Sequence, residues 1–196
     1  MKIVVFGATG PSGLTLVQQA LDRGMGVTAL VRNPDRLSIT HENLKVAKVN
    51  IFKEDEIVDH IKECDVVMGC LGTPGSFLSR LPETLYTEST KVILSAMRNA
   101  NKKRFIVISA GGVIKSSQEP IIMTIIRPLK IRQLLCNMRE MEIMLENSTD
   151  IDFTAVRAPS LTNGQRTDKE IKTEVDAQYV TGKVHGWQEL MSPDLC

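Results

Sequence analysis

Charge of one sign is the first thing missing from this chain of 196 residues, in which Lys and Arg number 24 against 23 Asp and Glu, for a formal net charge of +1. So even a balance gives no field for capturing nucleic acid or an acidic membrane surface, and direct binding to either is not expected. Long hydrophobic runs are missing too. The apolar stretches reach about five to seven residues, far below the roughly 20 that a membrane-spanning helix needs. Strand-like sequence begins directly after Met1, where a secretory leader would place charge and then an apolar stretch. A cytoplasmic protein is the expectation. Cysteine is scarce: Cys64, Cys70, Cys136 and Cys196 form no CxxC pair and have no histidine at zinc spacing. No metal site is expected, and the thiols read as reduced, Cys64 and Cys70 flanking a buried strand. No repeat, low-complexity tract or linker is visible, and the length suits one α/β domain better than two.

What is present is concentrated at the start. The apolar run Lys2-Ile3-Val4-Val5-Phe6 leads straight into Gly7-Ala8-Thr9-Gly10-Pro11-Ser12-Gly13, and a helical pattern follows from Leu14. This reads as strand, tight turn, helix. Gly7 permits the turn, Gly10 lets backbone approach a pyrophosphate, and Gly13 allows close packing of helix on strand. The helix N-terminus adds free N–H groups and a positive dipole end for phosphate. In that strand-to-helix context the glycine triplet predicts nucleotide binding.

The rest of the chain keeps the same rhythm. Leu14, Val17, Ala20 and Leu21 recur at helical spacing up to Gly24, and Val27 to Val31 forms a second strand. Leu44 to Val49 predicts a third strand, Asp55 to Ile61 a short helix, Asp65 to Cys70 a fourth strand and Glu83 to Ala100 a long helix. Arg104 to Ile108 makes a fifth strand ending at Ser109. Pro128 interrupts the next helical stretch, leaving a helix near Lys130 to Glu146, and Asp152 to Arg157 is a sixth strand stopped by Pro159. Beyond it the pattern weakens, with a strand fragment expected over Glu174 to Val180 and a loose end after Gly186. Apolar strands alternating with helices predict an α/β, Rossmann-type doubly wound parallel sheet, order 3-2-1-4-5-6, with helices on both faces. The cofactor then lies across the carboxyl ends of the strands, beside strand one. Residues 1–110 form the nucleotide-binding half, 111–185 the substrate side and 186–196 an atypical tail.

The end of strand two selects the nucleotide. An NAD site usually places an acid there for the ribose 2′-hydroxyl, whereas Val31-Arg32-Asn33 offers a guanidinium and no acid before Asp35. Arg32 suits the 2′-phosphate that a carboxylate would repel, so NADPH/NADP is expected over NAD.

Five blocks together resemble the atypical, extended branch of the short-chain dehydrogenase/reductase superfamily with NmrA-like NAD(P)-binding domains. They are Phe6 to Gly13, Leu30-Val31-Arg32, Leu71-Gly72-Thr73, Ile108-Ser109-Ala110 and Asp152 to Pro159, in the family's order over about residues 1 to 165. Within it, the branch of flavin and biliverdin reductases is the most similar. The resemblance implies Gly7, Thr9, Gly10, Ser12 and Gly13, with Pro11 among them, around the pyrophosphate, and Arg32 on the adenosine phosphate. It places Asn50 and Ile51 beside adenine, where the family usually has Asp-Val, and Leu71, Gly72 and Thr73 under the nicotinamide side. Ser109 becomes the catalytic candidate near nicotinamide and substrate, and Pro159 and Ser160 close over the ring.

The chain also departs from that pattern. Carbonyl reductases of this superfamily use a YxxxK pair whose lysine lowers the tyrosine pKa. Only Tyr86 and Tyr179 are present, and Lys91 follows Tyr86 five residues on, so Tyr86 reads as helix surface. The flavin and biliverdin reductase branch keeps a histidine in the helix before strand six; Met138-Arg139-Glu140-Met141-Glu142 has none. His41 and His60 read as solvent-exposed, His185 sits in the weak tail, and Met138, Met141 and Met144 read as core. Two functions follow. One is an NADPH-dependent reductase of a small conjugated or aromatic acceptor (a flavin, a biliverdin-type tetrapyrrole or a quinone), its pocket shaped by 74–82 and 111–120. The other is a non-catalytic NADP(H)-binding redox sensor of the NmrA type acting on a protein partner. An isomerase or epimerase acting on a nucleotide sugar would need a catalytic tyrosine, and Tyr86 reads as helix surface.

Overall fold

Alternating β-branched runs and helical stripes build a parallel sheet in the computed structural model, which describes residues 1–72, 84–114, 132–158 and 174–175. The strands are β1 (Lys2–Phe6), β2 (Gly26–Val31), β3 (Leu44–Lys48), β4 (Val66–Gly69), β5 (Arg104–Ala110) and β6 (Asp152–Ala158). The helices are α1 (Pro11–Asp22), α2 (Val58–Lys62), α3 (Leu85–Asn99) and α4 (Arg132–Glu146). All described strand pairs are parallel, in the expected order β3-β2-β1-β4-β5-β6. The reversal of direction beside β1 creates a crevice at the carboxyl ends of β1 and β4.

Period-two alternation divides the central strands between two cores. On one face Ile3 and Val5 of β1 and Val27, Ala29 and Val31 of β2 pack on Leu16, Val17, Ala20 and Leu21 of α1. On the other, Val4, Phe6, Leu30, Val67, Phe105 and Val107 meet Ile61 of α2, Ile93, Leu94 and Met97 of α3, and Leu135, Met138, Met141 and Leu145 of α4. Burial of such side chains, worth roughly 1.5–3 kcal/mol each, holds helices to both faces of the sheet. Met138 and Met141 are buried and Met144 is packed against them, as the core reading expects.

Three local differences from the sequence reading have physical causes. Helix α1 starts one turn before Leu14, at Pro11, because proline is pre-organised for a first helical position and lacks only an N–H that would be unbonded there anyway. The helix expected over Asp55 to Ile61 is instead a 3₁₀ turn (Glu54–Glu56) followed by α2, separated by buried Ile57. Glu56 is drawn to the Asn50 N–H at 2.7 Å, and Glu54 accepts from Ser95 Oγ at 2.6 Å and from the Asn99 amide on α3. Those outward ties pull the acidic run away from the α2 axis. Of the strand fragment expected at 174–180, Glu174 is irregular and Val175 lies in a turn; residues 176–180 lie outside the described residues.

Tyr86 is the clearest correction. It was expected on the helix surface, yet it is 5% exposed. The first turn of α3 is pinned to α4, where Asn137 accepts from the Tyr86 N–H at 3.0 Å, and this contact turns Tyr86 into the core between the helices. His60, expected to be solvent-exposed, is half-buried on α2, whereas His41 is exposed and accepts from the Asn43 N–H at 3.0 Å. No helix among the described residues is long and apolar enough to cross a membrane.

Candidate functional site

The glycine turn sits at the carboxyl end of β1, directly against β4. Gly7 has φ +78°, and a Cβ there would lie 2.3 Å from the Cys70 carbonyl oxygen that follows β4. At Gly13 a Cβ would lie 2.2 Å from the Gly7 carbonyl oxygen. Both positions exclude any side chain on internal grounds. Gly10 differs: its nearest neighbour would be the Gly7 oxygen at 3.4 Å, an ordinary contact, and its backbone is extended with φ −82°. Nothing in the described protein requires glycine there, so its smoothness is available to a ligand.

The turn is also set for an anion. The Gly10 N–H donates to the Gly7 carbonyl at 3.0 Å, the Leu14 N–H donates to the Gly10 carbonyl at 2.8 Å, and Pro11 opens α1. No side chain caps α1 at Gly10, and no acidic residue occupies its first turn. A first turn with no side-chain cap and no acid offers its positive dipole end to phosphate. Thr9 and Ser12 are half-buried on the turn, and Pro11 is exposed. The residues present therefore fit the pyrophosphate of a dinucleotide, with Gly7, Gly10 and Gly13 as its cradle.

To one side lie the ends of β2 and β3. The Val49 N–H donates to the Val31 carbonyl at 2.9 Å, so Arg32 and Asn50, the next residues, emerge together from neighbouring strands. Arg32 is exposed and has no ion pair among the described residues. Asn50 Oδ1 accepts from the Phe52 N–H at 3.1 Å, while Ile51 is 5% exposed and packs in the core. Asn50 thus presents a fixed turn at this edge, and Ile51 supports it from below.

To the other side lie the ends of β4, β5 and β6. Leu71 is half-buried against the core, and Gly72 is exposed with open space where a Cβ would stand. Ser109, near the end of β5, is 2% exposed, and its Oγ donates to Glu142 Oε1 of α4 at 2.6 Å. Glu142 is itself 1% exposed. It also accepts from Arg157 Nε at 3.1 and 3.2 Å, from Arg157 Nη2 at 2.9 Å and from Arg139 Nη1 at 3.3 Å. Ser109 and Arg157 are register partners on adjacent strands, so both reach the same carboxylate. Two guanidinium groups and a hydroxyl compensate the buried charge, as such a charge requires.

The structure therefore gathers Gly7, Thr9, Gly10, Pro11, Ser12 and Gly13 on one turn, Arg32 and Asn50 to one side, and Leu71, Gly72 and Ser109 to the other. Thr73, Pro159 and Ser160 lie outside the described residues, as do Tyr179, His185 and the loop segments 74–82 and 115–120. The sequence reading passed over Glu142 and Arg157. Glu142 lies among Leu135, Met138, Met141 and Leu145, so a charge within an apolar helical stripe was the available signal. Of the described cysteines, Cys64 is buried, Cys70 half-buried and Cys136 exposed, none of the three in a disulfide; burial pushes the Cys64 pKa up to about 11.

Comparison with known proteins agrees with this geometry. A family model described as NAD(P)H-binding matches residues 7–185. An uncharacterized protein of Bacillus subtilis, YwnB, is 28% identical over 113 residues, covering 57% of this chain and 48% of that protein. Dihydroflavonol 4-reductase of Gerbera hybrida is 29% identical over 133 residues, covering 61% of this chain and 36% of the reductase. The chain thus spans about half or less of these curated relatives. A Streptococcus pneumoniae structure provisionally designated an NADH-flavin reductase shares the fold, with a TM-score of 0.65 at 20% identity over 85% of this chain and 77% of that one.

Proposed function

The chain belongs to the NAD(P)H-binding family, and on that premise we propose that it is an NADPH-dependent reductase of a small conjugated or aromatic acceptor such as a flavin, a biliverdin-type tetrapyrrole or a quinone. The observation that carries the reading is the glycine turn, with Gly10 free of any steric demand from the described residues, set beside an exposed Arg32 that has no ion pair among the described residues. A phosphate on the adenosine ribose would give Arg32 a charge-assisted, planar contact. Tyr86, packed in the core with no lysine four residues on, is not placed to protonate an alkoxide; Tyr179 and Lys183 do stand four apart, as in a YxxxK pair, and lie outside the described residues. The name of the Streptococcus protein, designated a flavin reductase, supports this acceptor class, and that of the Gerbera protein supports a reductase without selecting the acceptor.

In this reading the protein's own work is positioning and exclusion of water. The α1 N-terminus and the turn hold the pyrophosphate, Arg32 holds the adenosine phosphate, and Gly72 and the end of β5 face the other half. When bound, reduced nicotinamide would supply a hydride to an electron-poor ring of the acceptor, the balancing proton coming from water.

Arg32→Asp is expected to weaken NADPH binding on the order of 10- to 100-fold, as loss of a charged hydrogen bond would, with little effect on NADH. Titration with both nucleotides checks this, and equal losses would remove the assignment. Incubation with NADPH and each acceptor in turn, following loss of the reduced nicotinamide absorbance, tests turnover.

A second reading, an NADP(H)-binding redox sensor without turnover, is favoured by one observation. The Ser109 hydroxyl is bonded inward to Glu142. Tight NADPH binding with no turnover of any acceptor would select the sensor and its protein partner.

A further inference from the structure

We propose that Glu142 is a positioning residue that fixes the polarity of Ser109, so that Ser109 meets the bound ligand as a hydrogen-bond acceptor and takes an amide-type N–H donor from it. This rests on the NADPH reading above. A serine hydroxyl has one proton and two lone-pair sites. The 2.6 Å contact to Glu142 Oε1 commits the proton, because an ionised carboxylate can only accept. The same carboxylate also accepts from Arg157 and Arg139, at 2.9 and 3.3 Å, so every described group around it is a donor. Ser109 can therefore present only lone pairs to a ligand.

Its place in the fold says where. A dinucleotide spans the crevice with its pyrophosphate on the turn after β1. If Arg32 marks the adenosine side over β2, the nicotinamide half lies over β4 and β5, toward the Ser109 end of the sheet. Two N–H donors are available there, the carboxamide of the nicotinamide and a ring imide or lactam of the acceptor. Both are the same chemistry. Ser109 would orient the reacting ring, and Glu142 would act only through Ser109.

The test is nucleotide and acceptor binding by calorimetry, which needs no turnover, on wild type, Ser109→Ala and Glu142→Gln. In one arm the cofactor is the reduced 3-acetylpyridine analogue of NADPH, which keeps the ring carbonyl and lacks the N–H. In the other the acceptor is a flavin methylated at its imide nitrogen. In wild type, one of the two modified ligands is expected to bind about tenfold more weakly than its parent, identifying the donor. That penalty should vanish in Ser109→Ala. In Glu142→Gln the amide oxygen goes to Arg157 and its NH₂ turns to Ser109, freeing the serine proton, so the penalty should shrink there too. A purely structural Glu142 would lower thermal stability and leave the ratio intact. No penalty in wild type for either ligand, or one that persists in Ser109→Ala, overturns the proposal. Should Glu142→Gln not fold, the Ser109→Ala ratio decides alone. Failure of wild type to bind NADPH is a different result, removing the functional reading and this inference with it.

Discussion

A single methyl group distinguishes the three glycines of the turn. At Gly7 it would meet the Cys70 carbonyl and force a residue with φ +78° into a strained conformation, and at Gly13 it would be driven into the Gly7 carbonyl. Gly7→Ala and Gly13→Ala are each expected to destabilise the fold by about 1–3 kcal/mol or more. Gly10→Ala should cost less than about 1 kcal/mol of stability yet weaken NADPH binding at least tenfold, because its methyl stands where the pyrophosphate approaches. Urea denaturation and nucleotide titration on the three variants separate the two effects; a Gly10→Ala protein that binds normally would remove the cradle. These glycines were legible in sequence because a turn is encoded within seven residues. Glu142 was not, since the partners that explain its burial, Ser109 and Arg157, are 33 and 15 residues away along the chain.

Helices in this fold are fixed by what they touch as much as by their own residues. Helix α3 has no side-chain cap of its own: Thr84 makes no capping bond. The cap comes from α4, where buried Asn137 accepts from the Tyr86 and Thr87 N–H groups at 3.0 and 3.4 Å and donates to Thr87 Oγ1 at 2.8 Å. Asn137→Ala removes these three buried hydrogen bonds and should cost about 1–3 kcal/mol, seen as a lower urea midpoint at unchanged m-value. An unaltered midpoint would mean that water replaces the amide. Such cross-helix capping explains why the existence of α3 and α4 could be read from apolar spacing while the burial of Tyr86 could not. Helix α2 was misjudged for a related reason, its acidic lead-in being held by Asn50, Ser95 and Asn99 on other elements.

Across the whole molecule the two edges of the sheet are treated differently. The order of strands was legible because right-handed crossovers leave little freedom once the alternation is known, and that order puts all strand carboxyl ends on one edge. The opposite edge is tied by carboxylates. The Lys2 N–H donates to Asp65 at 2.7 Å, Arg104 Nη1 donates to Asp152 at 3.1 Å, and Arg98 makes a two-pronged contact with Asp150 at 2.7 and 2.9 Å. The Arg98 hydrogen bonds hold the Asp150 carboxyl below its usual pKa, and the Asn50 N–H and Lys53 do the same for Glu56. A carboxylate whose pKa is lower folded than unfolded stabilises the fold above the unfolded value, and that contribution is lost as pH falls through the folded one. Melting temperature should therefore drop below about pH 4, where ordinary carboxylates protonate. Asp150→Asn should lower it slightly at pH 7, as expected of an exposed pair, and make the acid decline shallower. Arg98→Gln should do the same, and the double variant little more. Because this edge lies across the sheet from the glycine turn, NADPH affinity at pH 7 should be unchanged in Asp150→Asn. Melting scans from pH 7 to 3 with a titration at pH 7 check both halves; an unaltered acid slope would show that Asp150 is not among the groups whose protonation unfolds the protein.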